Sequence, residues 1–308
     1  MARGATQGLV EEVYGQPEVL KRFAKTKLPR APRGSIFVGA GDSYAAALVA
    51  FYASKGDCVA LDPYTLASYP EAATGLEVFL ISVSGRTASN IVAARRVRGI
   101  ARGTTVITAD NTSRLARLAD RVVSLPMTYS PRTSGMLSFS LSLLAVLRAA
   151  GSLGPCDFRR VLAISRRSML TTRPGKGTTY FLGNSLAYPV ALYAAAKTYE
   201  LLGTKAHAEL LEEFSHMELF SLTKDDAVNA FSCFDPSHKA GKLARALRAR
   251  GYESNVVPSV EGTDIERLFH SVFVVQLSMF DQAKKAGLSA PRFLADGGRL
   301  GVSDEMIY

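Results

Sequence analysis

Six consecutive residues concentrate the polar chemistry of this sequence: Ser82-Val83-Ser84-Gly85-Arg86-Thr87, entered from the β-branched run 78–81 and left by a helical pattern from Ala88. Where a strand hands over to a helix, the first-turn N–H groups have no partner inside the helix. The positive end of the helix dipole adds to them, so such a loop receives an anion. Ser82, Ser84 and Thr87 add three hydroxyl donors to the loop amides, Val83 included, and Arg86 adds a cation. Gly85 lets the backbone come close to a ligand. The competing reading makes Ser84 or Thr87 a plain helix cap, a task that needs one hydroxyl and not three. A second turn, Gly39-Ala40-Gly41-Asp42-Ser43, joins the run 35–39 to the helical pattern 44–54. It lacks the third glycine of the dinucleotide fingerprint. Loops at strand C-termini gather along one edge of a parallel sheet, so Ser43, with Gly41 beside it, is expected to face the same phosphate as residues 82–87.

The elements that would position these loops alternate. Strand runs at 35–39, 58–61, 78–81, 105–108 and 122–125 are interleaved with helical patterns at 44–54, 88–99, 113–118 and 137–150. The rhythm pauses at Gly151-Ser152-Leu153-Gly154-Pro155, a cluster of helix breakers, and a basic helix follows at 158–168. A second series then offers strands at 179–182, 228–233 and 254–257, with helices at 186–202, 208–216, 239–250 and 264–285. Such alternation builds parallel sheets covered by helices on both faces. The expected fold is therefore α/β: two tandem doubly wound domains, 1–152 with an N-terminal helical extension and 153–308 with a C-terminal tail. Each half opens on a strand that ends in glycine, at Gly39 and at Gly183.

Composition narrows the function. A chain of 308 residues with 47% apolar content builds sizeable cores, and about two domains fit its length. No apolar run approaches the roughly 20 residues of a membrane span, and no signal peptide opens the sequence. Cys58, Cys156 and Cys233 are few, odd in number and far apart, which suits a reducing, cytoplasmic setting and gives no disulfide framework. His207, His216, His238 and His270 show no metal-ligand spacing. Neither a metal nor a cofactor is expected, and His207, His238 and His270 read as structural. The net charge of +10 is spread over helix faces with no interleaved aromatics, so nucleic acid is not expected as a partner. The charge either forms a solvated surface or draws in phosphorylated metabolites.

The two serine turns together resemble the sugar isomerase (SIS) domain family, in which an S-x-S-G-x-T loop and an earlier serine grip a phosphosugar. Ile107-Thr108-Ala109-Asp110-Asn111 is similar to the family's next strand and loop. Arg86 stands where the family often has glutamate. The second half is similar to the isomerase module of glucosamine-6-phosphate synthases: Lys197, then Glu200, then Glu213-Phe214-Ser215-His216. The interval from Glu200 to His216 matches there and in archaeal phosphoglucose/phosphomannose isomerases. The resemblance covers nearly the whole chain as two such domains. It implies catalytic roles for Glu200, His216 and Lys197, with Glu213 as an orienting partner of His216 or a solvated residue.

Physical chemistry gives these residues a task. Lys197 and Glu200 share one helix face. Aldose–ketose isomerisation moves a proton between C1 and C2 through an enediol, which needs one mobile base and no metal. Lys197 suits a developing oxyanion, and His216 suits protonation and deprotonation of the ring oxygen. Taken singly, Lys197 and Glu200 read first as an exposed i,i+3 ion pair, the commonest fate of such residues, and His216 as a surface or capping histidine. A continuous helix would hold Glu200 and His216 about 24 Å apart at 1.5 Å per residue. Gly203 offers a break, so His216 either folds back or comes from a second subunit. The resemblance implies the latter, hence a homodimer with a shared site. In the tail, Pro291-Arg292-Phe293-Leu294-Ala295-Asp296, Asp296 replaces the lysine of the synthase module, which leaves ring opening to His216 or water. The segment before residue 35 is too short for a glutaminase. The expected activity is a metal-free isomerase interconverting an aldose 6-phosphate and a ketose 6-phosphate, fructose 6-phosphate among them. Alternatives are a glucosamine-6-phosphate deaminase/isomerase and a non-catalytic phosphosugar sensor.

Overall fold

The computed structural model of the chain describes residues 5–129, 135–151, 154–170 and 176–308. It divides into two compact units, Val19–Leu153 with Gly297–Tyr308, and Gly154–Asp296 with Met1–Glu18. The expected boundary at 152–153 falls on residues outside the described ones. The extension and the tail, which the sequence reading kept with the nearer half, are dealt crosswise between the units. Helix α1 (Ala5–Phe23) carries the first crossing.

In the first unit, strands β1 (Ile36–Val38), β2 (Val59–Leu61), β3 (Glu77–Ile81), β4 (Gly103–Thr108) and β5 (Arg121–Ser124) form one parallel sheet in the order β2-β1-β3-β4-β5. Val78, Phe79, Leu80 and Ile81 are buried on both faces, as an interior parallel strand requires. Helices α2 (Asp42–Ala53), α3 (Pro63–Ser68), α4 (Ala88–Arg96) and α5 (Met136–Ala149) surround it. The step from β1 to β2 runs opposite to the later ones, so right-handed crossovers put α2 on one face and α3 and α4 on the other. The core agrees: Leu66 of α3 and Ile91, Ala94 and Val97 at α4 pack on Ile36, Val38, Val78, Leu80 and Val106. The helix expected at 113–118 shrinks to a 3-10 turn, Ala116–Leu118. Its start is taken by an Asx turn, in which Asp110 Oδ1 accepts the Thr112 N–H at 2.9 Å.

The second unit contains α6 (Phe158–Ser165), β6 (Thr179–Gly183), α7 (Ala187–Lys197), β7 (Ala206–Leu210), α8 (Leu211–His216), β8 (Ala227–Phe231), α9 (Lys239–Arg248), β9 (Glu253–Val257) and α10 (Asp264–Lys285). Its parallel sheet runs β7-β6-β8-β9, the same plan one strand shorter. The two opening glycines play one part: a Cβ on Gly39 would lie 2.4 Å from the Ser43 carbonyl oxygen, and one on Gly183 2.6 Å from that of Ala187. Both helices sit that close to the end of their strand. One expectation needs correcting. Residues 208–216 do not form one helix: Ala206-His207-Ala208-Glu209-Leu210 is an edge strand, and only Leu211–His216 is helical. Alternating small apolar and polar residues are the two-residue period of a half-buried strand. Helix α11 (Gly297–Ile307) belongs to the first unit. Among the described residues no helix is long and apolar enough to cross a membrane.

Candidate functional site

In the first unit the strand order reverses at β1, and open parallel sheets take their ligands at such a point, past the strand C-termini. Val38 of β1 pairs with Leu80 of β3, so the turn 39–43 and the loop 82–87 leave neighbouring strand ends. Thr87 is the N-cap residue of α4, yet its side chain makes no capping bond. The hydroxyls turn to one another and to the loop instead: Ser82 Oγ lies 3.2 Å from Thr87 Oγ1, and Ser84 Oγ accepts the Arg86 N–H at 3.2 Å. A plain cap therefore does not account for them. Ser82 and Ser84 are buried, while Val83 and Thr87 are half-buried. Gly85 holds φ at +60°, and a Cβ there would fall 2.0 Å from Ser113 Oγ, so only glycine closes this loop. The Val83 carbonyl accepts the Thr108 hydroxyl at 3.1 Å and the Ala109 N–H at 3.0 Å, which pins the loop to β4. Arg86 is exposed and lies 3.8 Å from Asp110. The Asp110 carboxyl is held below the usual range, chiefly by the Thr112 hydroxyl and N–H and further by Arg86 and Arg117. At the end of the neighbouring strand, Gly41 is the N-cap residue of α2 and Ser43 sits half-buried in its first turn.

Sequence reasoning missed three buried polar residues around this loop. Asn90, in the first turn of α4, is 1% exposed, and its Oδ1 has no partner among the described residues. Thr108 and Ser113 are the other two, and tertiary structure alone brings them to the loop. A polar residue on the apolar stripe of α4 was the one available signal, and only for Asn90.

In the second unit α7 does not stop at Lys197. It widens into a π-helical turn, Thr198–Leu202, closed by Gly203. Lys197 is 1% exposed, over the Tyr193 ring at 5.4 Å, and its ammonium is ion-paired with Glu200. This is not the exposed surface pair that the spacing alone favoured. The Tyr199 hydroxyl donates to the Ala206 carbonyl and fastens the turn to β7. The 3-10 turn Arg292–Ala295 packs against the same π turn, and Asp296 follows directly.

His216 is placed otherwise. It ends α8 with its side chain 70% exposed and its Nε2 3.2 Å from Glu212 Oε1, and Glu213 beside it is exposed. Crossover handedness puts α8 and α9 on the sheet face opposite α7. Leu211, Phe214, Ala240 and Leu247 accordingly share one core with Tyr180 and Leu182. The structure thus brings Lys197 and Glu200 together and leaves His216 of the same chain across the sheet. Of the remaining histidines, His270 is buried with Nδ1 2.9 Å from Ser165 Oγ, and burial lowers its pKa.

No family model and no curated protein matches the sequence. Solved structures match the fold. Glucosamine-6-phosphate deaminase from Thermotoga maritima is 22% identical over 91% of this chain and 95% of its own, with a TM-score of 0.73. The C-terminal domain of glucosamine-fructose-6-phosphate aminotransferase from Francisella tularensis is 19% identical over 91% and 96%, with a TM-score of 0.70. Tagatose-6-phosphate ketose/aldose isomerase from Escherichia coli is 16% identical over 94% and 96%, with a TM-score of 0.71. At such identities the likeness speaks for architecture. The chain has the α/β fold of these phosphosugar proteins, the fold that its resemblance to the sugar isomerase family implied.

Proposed function

We propose that the chain is a phosphosugar isomerase, built as two tandem sugar isomerase-type domains, that interconverts an aldose 6-phosphate and a ketose 6-phosphate. Phosphate recognition is assigned to Ser43 and to Ser82, Val83, Ser84 and Thr87, with Gly41 and Arg86 in support. Proton transfer is assigned to Glu200: its carboxylate takes the C2 proton of the open-chain aldose phosphate and returns it to C1 of the enediol. The Lys197 ammonium balances charge on the enediolate oxygen. His216 of a second copy, or water, moves the proton that opens the ring, and the protein acts as a homodimer. Free thiols at Cys58, Cys156 and Cys233 suit a cytoplasmic setting.

The observation that carries this reading is the Lys197–Glu200 pair. A buried ammonium costs several kcal/mol in desolvation and persists only beside a partner. Here the partner, Glu200, is half-buried at the surface of a widened turn, where a substrate can reach it. Such turns gather at functional sites. The test is a panel of glucose, mannose, fructose and glucosamine 6-phosphates scored for turnover with wild type and Glu200→Gln. The variant is expected to keep its ligand affinity and lose at least about 100-fold in turnover. Near wild-type turnover would remove Glu200 from the chemistry. Ammonia released from glucosamine 6-phosphate would move the assignment to a deaminase, the activity named for the Thermotoga maritima neighbour. Binding without turnover of any sugar would make the protein a sensor, a reading that Asp296 in place of a lysine favours.

A further inference from the structure

Away from the loop and the turn described above, three ligating side chains converge on the edge of the second sheet. His207 and Glu209 are two apart on β7, hence on one face, and Glu218 returns to them from the 3-10 turn Glu218–Ser221 that follows α8. His207 Nε2 lies 3.1 Å from Glu218 Oε1 and 3.7 Å from Glu209 Oε2. One donor atom from each of the three residues lies within 4.8 Å of the other two. Two donors bound to one ion at about 2.1 Å stand about 3.0 Å apart at a right angle and about 3.4 Å apart at the tetrahedral angle. The two observed spacings, 3.1 and 3.7 Å, lie within a few tenths of an ångström of that range. A further observation points the same way. Glu218 Oε2 has no exposed surface and no hydrogen-bond partner among the described residues. A buried carboxylate oxygen without a donor has given up its hydration for nothing in return. Among the described residues neither glutamate is ion-paired with a lysine or arginine.

We infer that His207, Glu209 and Glu218 form a binding site for a divalent transition-metal ion. The donor set of one imidazole and two carboxylates suits Zn²⁺ and its first-row neighbours. Mg²⁺ and Ca²⁺, which take oxygen ligands, fit it poorly. Half of the His207 side chain faces solvent, so water completes the coordination. The ion ties the turn that follows α8 to the edge strand and stabilises the segment between them. This assignment rests on neither the phosphate loop nor Glu200.

The experiment uses the full chain, stripped with a chelator and dialysed, then titrated with Zn²⁺ by calorimetry at pH 7 in a non-coordinating buffer. One ion per chain is expected, together with a rise in melting temperature. His207→Ala and Glu218→Gln are each expected to weaken binding at least tenfold and to abolish that rise, with circular dichroism confirming the fold. His216→Ala, which removes a nearby exposed imidazole, is expected to keep the ion. Co²⁺ substitution reads the ligand field directly: a visible d–d band in wild type is expected to be lost in His207→Ala. Equal titration of wild type and both variants would mean an adventitious ion only and would overturn the site. So would a wild type that takes up no ion, which would leave His207 only as a neighbour of the two glutamates, hydrogen-bonded to Glu218.

Discussion

Removing one hydroxyl from the loop 82–87 is expected to cost ligand and not fold, because these hydroxyls bond to one another and to the loop's own backbone. Ser84→Ala and Thr87→Ala should each weaken phosphosugar binding by about 1–2 kcal/mol, the worth of a hydrogen bond to a charged group. Calorimetry measures the affinity and thermal melting checks the fold, which should change little. Unchanged affinity in both variants would remove the loop from the site. The loop was legible in the sequence because strand, hydroxyls, glycine and helix lie within a dozen consecutive residues. Asn90, Thr108 and Ser113 were not: two of them reach the loop only through the pairing of β3 with β4 and the turn beyond it. His207 read as structural for a similar reason, since its contact with Glu218 spans 11 residues and a change of element.

At the scale of elements, α10 was read to the residue. Its capping box, Thr263 with Glu266, and its closing Lys284 and Lys285 are written next to a long apolar stripe. The strand β7 was lost because Leu210, Leu211 and Phe214 continue its pattern at helical spacing, and five residues of alternation were too few to compete. The duplicated plan carries an asymmetry that bears on stoichiometry. Ser82 N–H donates to the Ile107 carbonyl at 3.1 Å, and in the second unit Ser232 N–H donates to Val257 at 3.0 Å, so the loop after β8 answers to the loop after β3. There the buried Asp235 accepts the Ala240 N–H at 2.8 Å and the Ser237 hydroxyl at 3.0 Å. The chain's own carboxylate thus occupies the start of α9, and a phosphate would meet like charge. Titration with a hexose 6-phosphate is expected to saturate at one ligand per chain and to vanish in the Ser84→Ala/Thr87→Ala double variant. Two equivalents bound would show that Asp235 does not close the second loop.

For the whole molecule, the sheet lies between α7 and α8, so under the proposed function Glu200 and His216 of one chain belong to different sites. Glu200→Gln and His216→Ala, each nearly inactive alone, should therefore complement one another when subunits exchange. Equal mixing makes about half the dimers mixed, each with one intact site of two, so roughly a quarter of wild-type activity should return. No recovery in verified mixed dimers, with a wild-type control that survives exchange, would place the histidine in its own chain's site. The crosswise dealing of the terminal segments has a consequence for anyone who cuts the gene. Within the second unit Gln16 donates to Gln276 at 2.8 Å in the buried interior, and Glu18 pairs with Arg159 at 2.6 Å. A fragment beginning at Gly154 gives up both partners, and a fragment ending at Leu153 gives up α11. Expressed separately, the two fragments are expected to melt well below the intact chain, whereas residues 154–296 fused to the first 18 should regain cooperative unfolding. The unit of inheritance for this fold is then both halves together, and they are separable on paper only.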